Sequence, residues 1–123
     1  MNYNFIFIFM IFCHIINDFF LQGILAEFKQ KSYWEKNAPD KRYKNDYIIS
    51  LLMHSISWSF MIMLPLAINM DFKVDDHFLL GLGINVIIHA IIDHLKANIK
   101  VFNLCEDQLL HIFQIFITFI LFI

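Results

Sequence analysis

The stretch His89-Ala-Ile-Ile-Asp93-His94-Leu-Lys96 sets a histidine and a carboxylate four residues apart, at the end of an apolar segment that begins near Phe78. Residues so spaced lie on one face of a helix. The same spacing returns in His14-Ile-Ile-Asn-Asp18-Phe-Phe-Leu-Gln22, inside a second apolar segment. Ionisable pairs of this kind are costly within a membrane and by default mark function.

Composition supports a membrane setting. Of 123 residues, 59% are hydrophobic and only 16% charged, with 15 Phe. That is too apolar for a soluble domain of this length. Four apolar segments stand out, at about 3–25, 47–68, 78–95 and 108–123, with a polar loop at about 26–46. The expected fold is all-α: one integral membrane domain over 1–123, a polytopic four-transmembrane-helix bundle. The last segment is short for a span, so either its end sits at the headgroups or the bilayer thins locally. Cys13 lies in an apolar segment and Cys105 in a polar loop, so no structural disulfide is expected. The first segment lacks a basic leader and a small-residue cleavage site, and reads as a retained helix.

The basic residues set the expected topology. Lys29, Lys31, Lys36, Lys41, Arg42 and Lys44 fall in the first loop and Lys96 and Lys100 in the third, against Lys73 alone in the second. The positive-inside rule puts the first and third loops in the cytoplasm and both termini outside. Helical rise then sets depth. His14, Asp18 and Gln22 on helix one, Ser50, His54 and Ser57 on helix two, Asn85, His89 and Asp93 on helix three, and Asp107, His111 and Gln114 on helix four form polar stripes. Lipid cannot satisfy them, so they turn inward. Together they imply one polar pocket open to the cytoplasm beneath a largely apolar outer half. His-x-x-x-Asp on helices one and three also suggests two hairpins about a pseudo-twofold axis.

The ordered set His14-x-x-x-Asp18-Phe-x-Leu-Gln22, Lys31, His54, His89-x-x-x-Asp93-x-x-Lys96 and Asp107-Gln108-x-x-His111 resembles a family of small bacterial and phage inner-membrane proteins of unknown function. The resemblance covers nearly the whole chain. It implies a multi-pass protein of the bacterial inner (cytoplasmic) membrane and no established activity. More distantly, the pattern is similar to membrane-bound metal-dependent hydrolases, by analogy only.

His14, Asp18, His54, His89 and Asp93 are the expected metal ligands, since imidazole and carboxylate suit a divalent Zn, Mn or Fe ion. Asp107 and His111 are expected to complete the coordination or act as general base, making a metal-dependent hydrolase the leading reading. Lys31, Lys96, Gln22 and Gln108 are candidate contacts for an anionic, phosphoester-type or lipid ligand. Plainer roles compete: Gln22 and Gln108 as bridges between helices, Asp107 as an N-cap, the lysines as juxtamembrane charges. His77, His94 and Cys13 read as bystanders. Two other functions stay open, a proton, ion or metal channel or transporter, and a non-catalytic scaffold or phage or defence accessory protein. A channel would need polar residues across the whole membrane. Expected partners are the lipid bilayer and a homo-oligomer; there is no nucleic-acid motif.

Overall fold

The computed structural model describes residues 1–123, all helices and connecting turns with no strands. Helix α1 (Tyr3–Ile16) starts at Asn2, whose side chain accepts the Asn4 N–H, and runs into a π-helical turn over Asn17–Leu21. Gly23, at φ +54°, then breaks the chain away. Two short helices follow, α2 (Leu25–Phe28) and α3 (Lys31–Asn37), and a 3₁₀ turn over Lys41–Tyr43. Helix α4 (Asp46–Asn69) is the longest and carries Pro65 buried near its end. Helix α5 (Asp76–His94) is capped by Asp75, which accepts the Phe78 N–H, and also ends in a π-helical turn, Leu95–Ile99. Helix α6 (Leu104–Phe122) opens on a capping box between Asn103 and Glu106.

The boundaries depart from the sequence expectation in three places. The first span closes at Leu21 rather than at 25, because the π turn and the left-handed Gly23 end the helical ladder. The first loop is largely helical. The last span starts at Leu104 and is 19 residues long. At a rise of ~1.5 Å per residue it reaches about 28 Å, so the bilayer need not thin around it.

Four helices, built on α1, α4, α5 and α6, are long and apolar enough to cross a membrane. In the bundle α4 packs against α1 and α5, and α6 closes the ring against α5 and α1. Neighbours run antiparallel. The Met1 ammonium donates to Asn69 Oδ1 at 3.1 Å, joining the start of α1 to the end of α4. His77, at the start of α5, packs against Phe122, at the end of α6, with ring centroids 4.6 Å apart. Both chain termini therefore lie at one end, and α2 and α3 with most of the lysines at the other. There Trp34 donates its indole N–H to the Phe28 carbonyl and lies among Phe28, Tyr33 and Tyr43, in keeping with an aromatic belt at a membrane interface.

The bundle is polar inside and greasy outside. Only 25 residues are buried, and polar ones outnumber apolar ones among them, while Phe5, Ile8, Phe12, Phe60, Leu80, Ile87, Phe113 and Leu121 face outward. Such a surface suits lipid and would aggregate in water. The interior has two layers. Ile6, Met10, Trp58, Ile62, Met63, Leu66, Ala67, Phe78 and Ile115 form an apolar core toward the termini. His14, Asn17, His54, His89, Asp93, Asp107 and His111 form a polar layer toward the lysines. On α4 the inward stripe differs from the expected one: Ser55, Trp58 and Ser59 are buried and Ser57 is exposed, reached there by the Asn17 amide at 2.7 Å.

Candidate metal centre

The polar layer is a single cluster drawn from all four long helices. His89 and Asp93 share the inward face of α5, as their spacing requires. Asp107 and His111 do the same on α6, His54 comes from α4, and Asp18 from the π turn that extends α1. A π turn leaves local carbonyls without their usual partners and re-aims side chains, and such turns cluster at functional sites. One contains Asp18 of the first His-x-x-x-Asp pair and the other follows the second pair.

The distances are those of a coordination shell. His54 Nε2 lies 3.4 Å from Asp18 Oδ1 and 3.4 Å from Asp93 Oδ2. His89 Nε2 lies 3.6 Å from Asp93 Oδ2. His111 Nε2 is 3.2 Å from Asp93 Oδ1 and 3.4 Å from Asp107 Oδ1. Ligand atoms held tetrahedrally ~2.0–2.1 Å from one ion are about 3.4 Å apart. Two trios satisfy the wider requirement that their ligand atoms all fall within 4.8 Å of one another: Asp18, His54 and His89, and His89, Asp93 and His111. His89 belongs to both.

The hydrogen-bond pattern points the same way. His54 and His89 are wholly buried, yet none of their four ring nitrogens has a hydrogen-bond partner; His111 Nδ1, Asp18 Oδ1 and Asp107 Oδ1 are also bare. A buried polar atom without a partner costs about 1–3 kcal/mol, so one such group in a protein calls for an explanation and a convergent set calls for a ligand. The charges agree. Lys29 Nζ sits 2.7 Å from Asp93 Oδ2 and Lys96 Nζ 3.0 Å from Asp107 Oδ2, whereas Asp18 has no lysine or arginine partner. A cation in the cluster would compensate it. The buried His/Asp cluster is thus compatible with a metal ion.

His14 takes a different place from the one expected of a ligand. Its Nδ1 accepts the Trp58 indole N–H at 2.8 Å, and its Nε2 is 3.0 Å from Gln108 Oε1. With both nitrogens engaged it has no free lone pair for an ion. Gln108 continues the chain, donating to Asp107 Oδ2 at 3.0 Å and to Asp18 Oδ2 at 3.3 Å. Trp58, His14 and Gln108 therefore aim two carboxylates, and Trp58 also stacks on His89 with ring centroids 4.1 Å apart. Groups that orient ligands in this way typically contribute 10–100-fold to metal affinity. Trp58→Phe keeps the ring and deletes the N–H; its expected outcome, checked by chelator competition, is a metal affinity about tenfold weaker with the fold intact.

The remaining site candidates divide. Lys96 meets the cluster through Asp107. Lys31 does not: its ammonium is 3.8 Å from Glu35, both groups well exposed, and its backbone N–H reaches Asn98. Lys29, which sequence reasoning passed over, holds the place expected of Lys31. The Gln22 amide donates to the Asp18 carbonyl and does not touch the cluster side chains. Asp107 is not the N-cap of α6, a role taken by Asn103, and its carboxylate turns inward. Lys29→Met is therefore expected to lower the unfolding temperature in detergent measurably, and Lys31→Met to leave it within error.

No family model, curated protein or solved structure matches this chain. The site is accordingly read from its own chemistry. Toward the termini the cluster is backed by Trp58, Ile62, Met10 and Ile115. At the other end Lys29 and Lys96, paired with Asp93 and Asp107, line a cleft of about 510 Å³ together with Gln22, Gln30, Lys100 and Phe102.

Proposed function

We propose that this protein binds a divalent metal ion in the bundle and acts as a membrane hydrolase on an anionic, phosphoester-type substrate. The observation that carries the reading is the pair of fully buried imidazoles, His54 and His89, whose four ring nitrogens are bare and which face Asp18 and Asp93 at ligand–ligand distances. A purely structural polar network would satisfy those atoms internally. Asp18, His54, His89, Asp93 and His111 form the proposed donor set, two or three nitrogens with carboxylate oxygens, which suits Zn, Mn or Fe. His14 and Gln108 hold that set in place.

Such an ion would supply Lewis acidity, lowering the pKa of water and, by polarising a phosphoryl oxygen, making the phosphorus more electrophilic. Asp107 Oδ1, bare and facing His111, is placed to take the proton as water attacks phosphorus. The ester P–O bond breaks, and the leaving alkoxide takes up the proton that Asp107 accepted and departs as the alcohol. Lys29 and Lys96 line the approach and favour an anion. By the positive-inside rule the cleft faces the cytoplasm, and the motif order supports a bacterial inner-membrane protein of the family it resembles. Toward the termini the buried side chains carry no charge, only an apolar core and the Asn85, Gln114 and Thr118 network, which disfavours a charged relay through the whole bundle.

Elemental analysis of the detergent-purified protein tests the reading. One or two equivalents of Zn, Mn or Fe per chain, removed by chelator together with phosphoesterase activity, is the expected result. A protein with no metal, and no affinity for any of the three, would sink it.

A further inference from the structure

The cleft is one end of a longer surface feature. Between α5 and α6 runs an apolar groove of about 400 Å³, from Gly81 and Phe122 at the terminal end to Ile92 and Leu110 beside the cluster. Its length over residues 81–92 is about 16 Å at ~1.5 Å per residue. The rims are open to lipid, with Ile88 41% and Ile117 42% exposed. Leu110 also lines the next hollow, with Val101, Phe102, Leu109 and Glu106, whose carboxylate is engaged by the Asn103 N–H. Phe102 lines both that hollow and the lysine cleft. Ile88 and Ile92 on α5 and Lys96 in the π turn that extends it follow at four-residue steps, leading from groove to cation.

The chemistry changes along this track. The groove is walled mostly by Ile, Leu and Phe, with Asn85, Gln114 and Thr118 also lining it but buried and hydrogen-bonded to one another. The cleft holds three ammonium groups, of which Lys29 and Lys96 are paired with Asp93 and Asp107 and Lys100 has no carboxylate partner. Gln22 Oε1, beside them, is an acceptor with no donor. An aliphatic chain suits the first part, an anion bearing a hydroxyl the second. A water-soluble phosphoester would leave the groove empty, and a neutral lipid would leave the lysines unmatched.

We infer that the ligand of this site is a bilayer lipid with a phosphate headgroup, its acyl chain in the α5/α6 groove and its phosphate among Lys29, Lys96 and Lys100. The inference deepens the hydrolase reading by naming its substrate class. It places the phosphate one salt bridge from the cluster, at Asp93 through Lys29 and at Asp107 through Lys96. Entry is lateral, from the membrane, and the phosphate stays at interfacial depth.

Native mass spectrometry of delipidated protein, titrated with dioleoyl phosphatidic acid, dioleoyl phosphatidylcholine or glycerol 3-phosphate, tests it, with metal content measured on the same samples. Phosphatidic acid is expected to bind tightest and glycerol 3-phosphate not to displace it. Lys100→Asn removes the unpaired charge at a left-handed residue (φ +62°) that asparagine tolerates. It is expected to weaken phosphatidic acid about fivefold, the effect of one lysine at an anionic interface. Ile117→Trp fills the groove and is expected to abolish the preference for the long-chain lipid. Neither variant changes metal content. Equal binding of glycerol 3-phosphate, or wild-type lipid binding by both variants, overturns the inference. Lipid binding in a protein without metal upholds it and removes only the hydrolase reading.

Discussion

A His89→Gln protein is expected to purify without the metal proposed for the cluster. His89 belongs to both trios that could hold an ion, so one substitution removes a corner from each. Loss of a group that merely orients a ligand costs 10–100-fold in affinity, so loss of the shared imidazole should exceed about a hundredfold. The substituent matters. His89 is stacked between Trp58 and His111, with centroids at 4.1 and 4.3 Å, and alanine there would leave a cavity. Glutamine keeps most of the volume, so metal stoichiometry by mass spectrometry reports coordination rather than collapse. A variant retaining full metal with unchanged affinity would show that the bare nitrogens have another purpose.

The second large effect is expected at Asp93. Its carboxylate meets Lys29 at 2.7 Å, His111 at 3.2 Å, His54 at 3.4 Å and His89 at 3.6 Å, linking three helices and the first loop. Asp93→Asn leaves Lys29, only 12% exposed, without its counter-charge. Stranding one partner of a buried pair costs about 3–5 kcal/mol. Thermal unfolding in detergent should show a marked loss of stability for Asp93→Asn. The double variant Asp93→Asn/Lys29→Met should recover part of it, because no buried charge is then stranded. Additive effects of the two substitutions would mean that the pair is not coupled.

How far these residues can be read from sequence depends on whether their neighbours are local. The pairs His89/Asp93 and His14/Asp18 are visible because four-residue spacing is a helical repeat, and the four spans because apolar runs are long. The role of Trp58 is invisible: a tryptophan in an apolar helix signals packing or an interface, and only the meeting of α4 with α1 shows its N–H on His14. Lys29 and Lys31 are equally plausible in a loop without periodicity. The choice falls to Lys29 because α2 ends there and the chain turns before α3. The start of α6 was legible, since Asn103-Leu-Cys-Glu106 is a capping-box spacing that the acidic Asp107 obscured. Likewise Gly23 already marked the early end of the first helix.

The layering of the interior has a consequence for ions. The polar cluster is backed toward the termini by Trp58, Ile62, Met10 and Ile115. Beyond them the buried polar side chains of α5 and α6 are the uncharged Asn85, Gln114 and Thr118, so a cation drawn in from the lysine end finds its charged partners at that end alone.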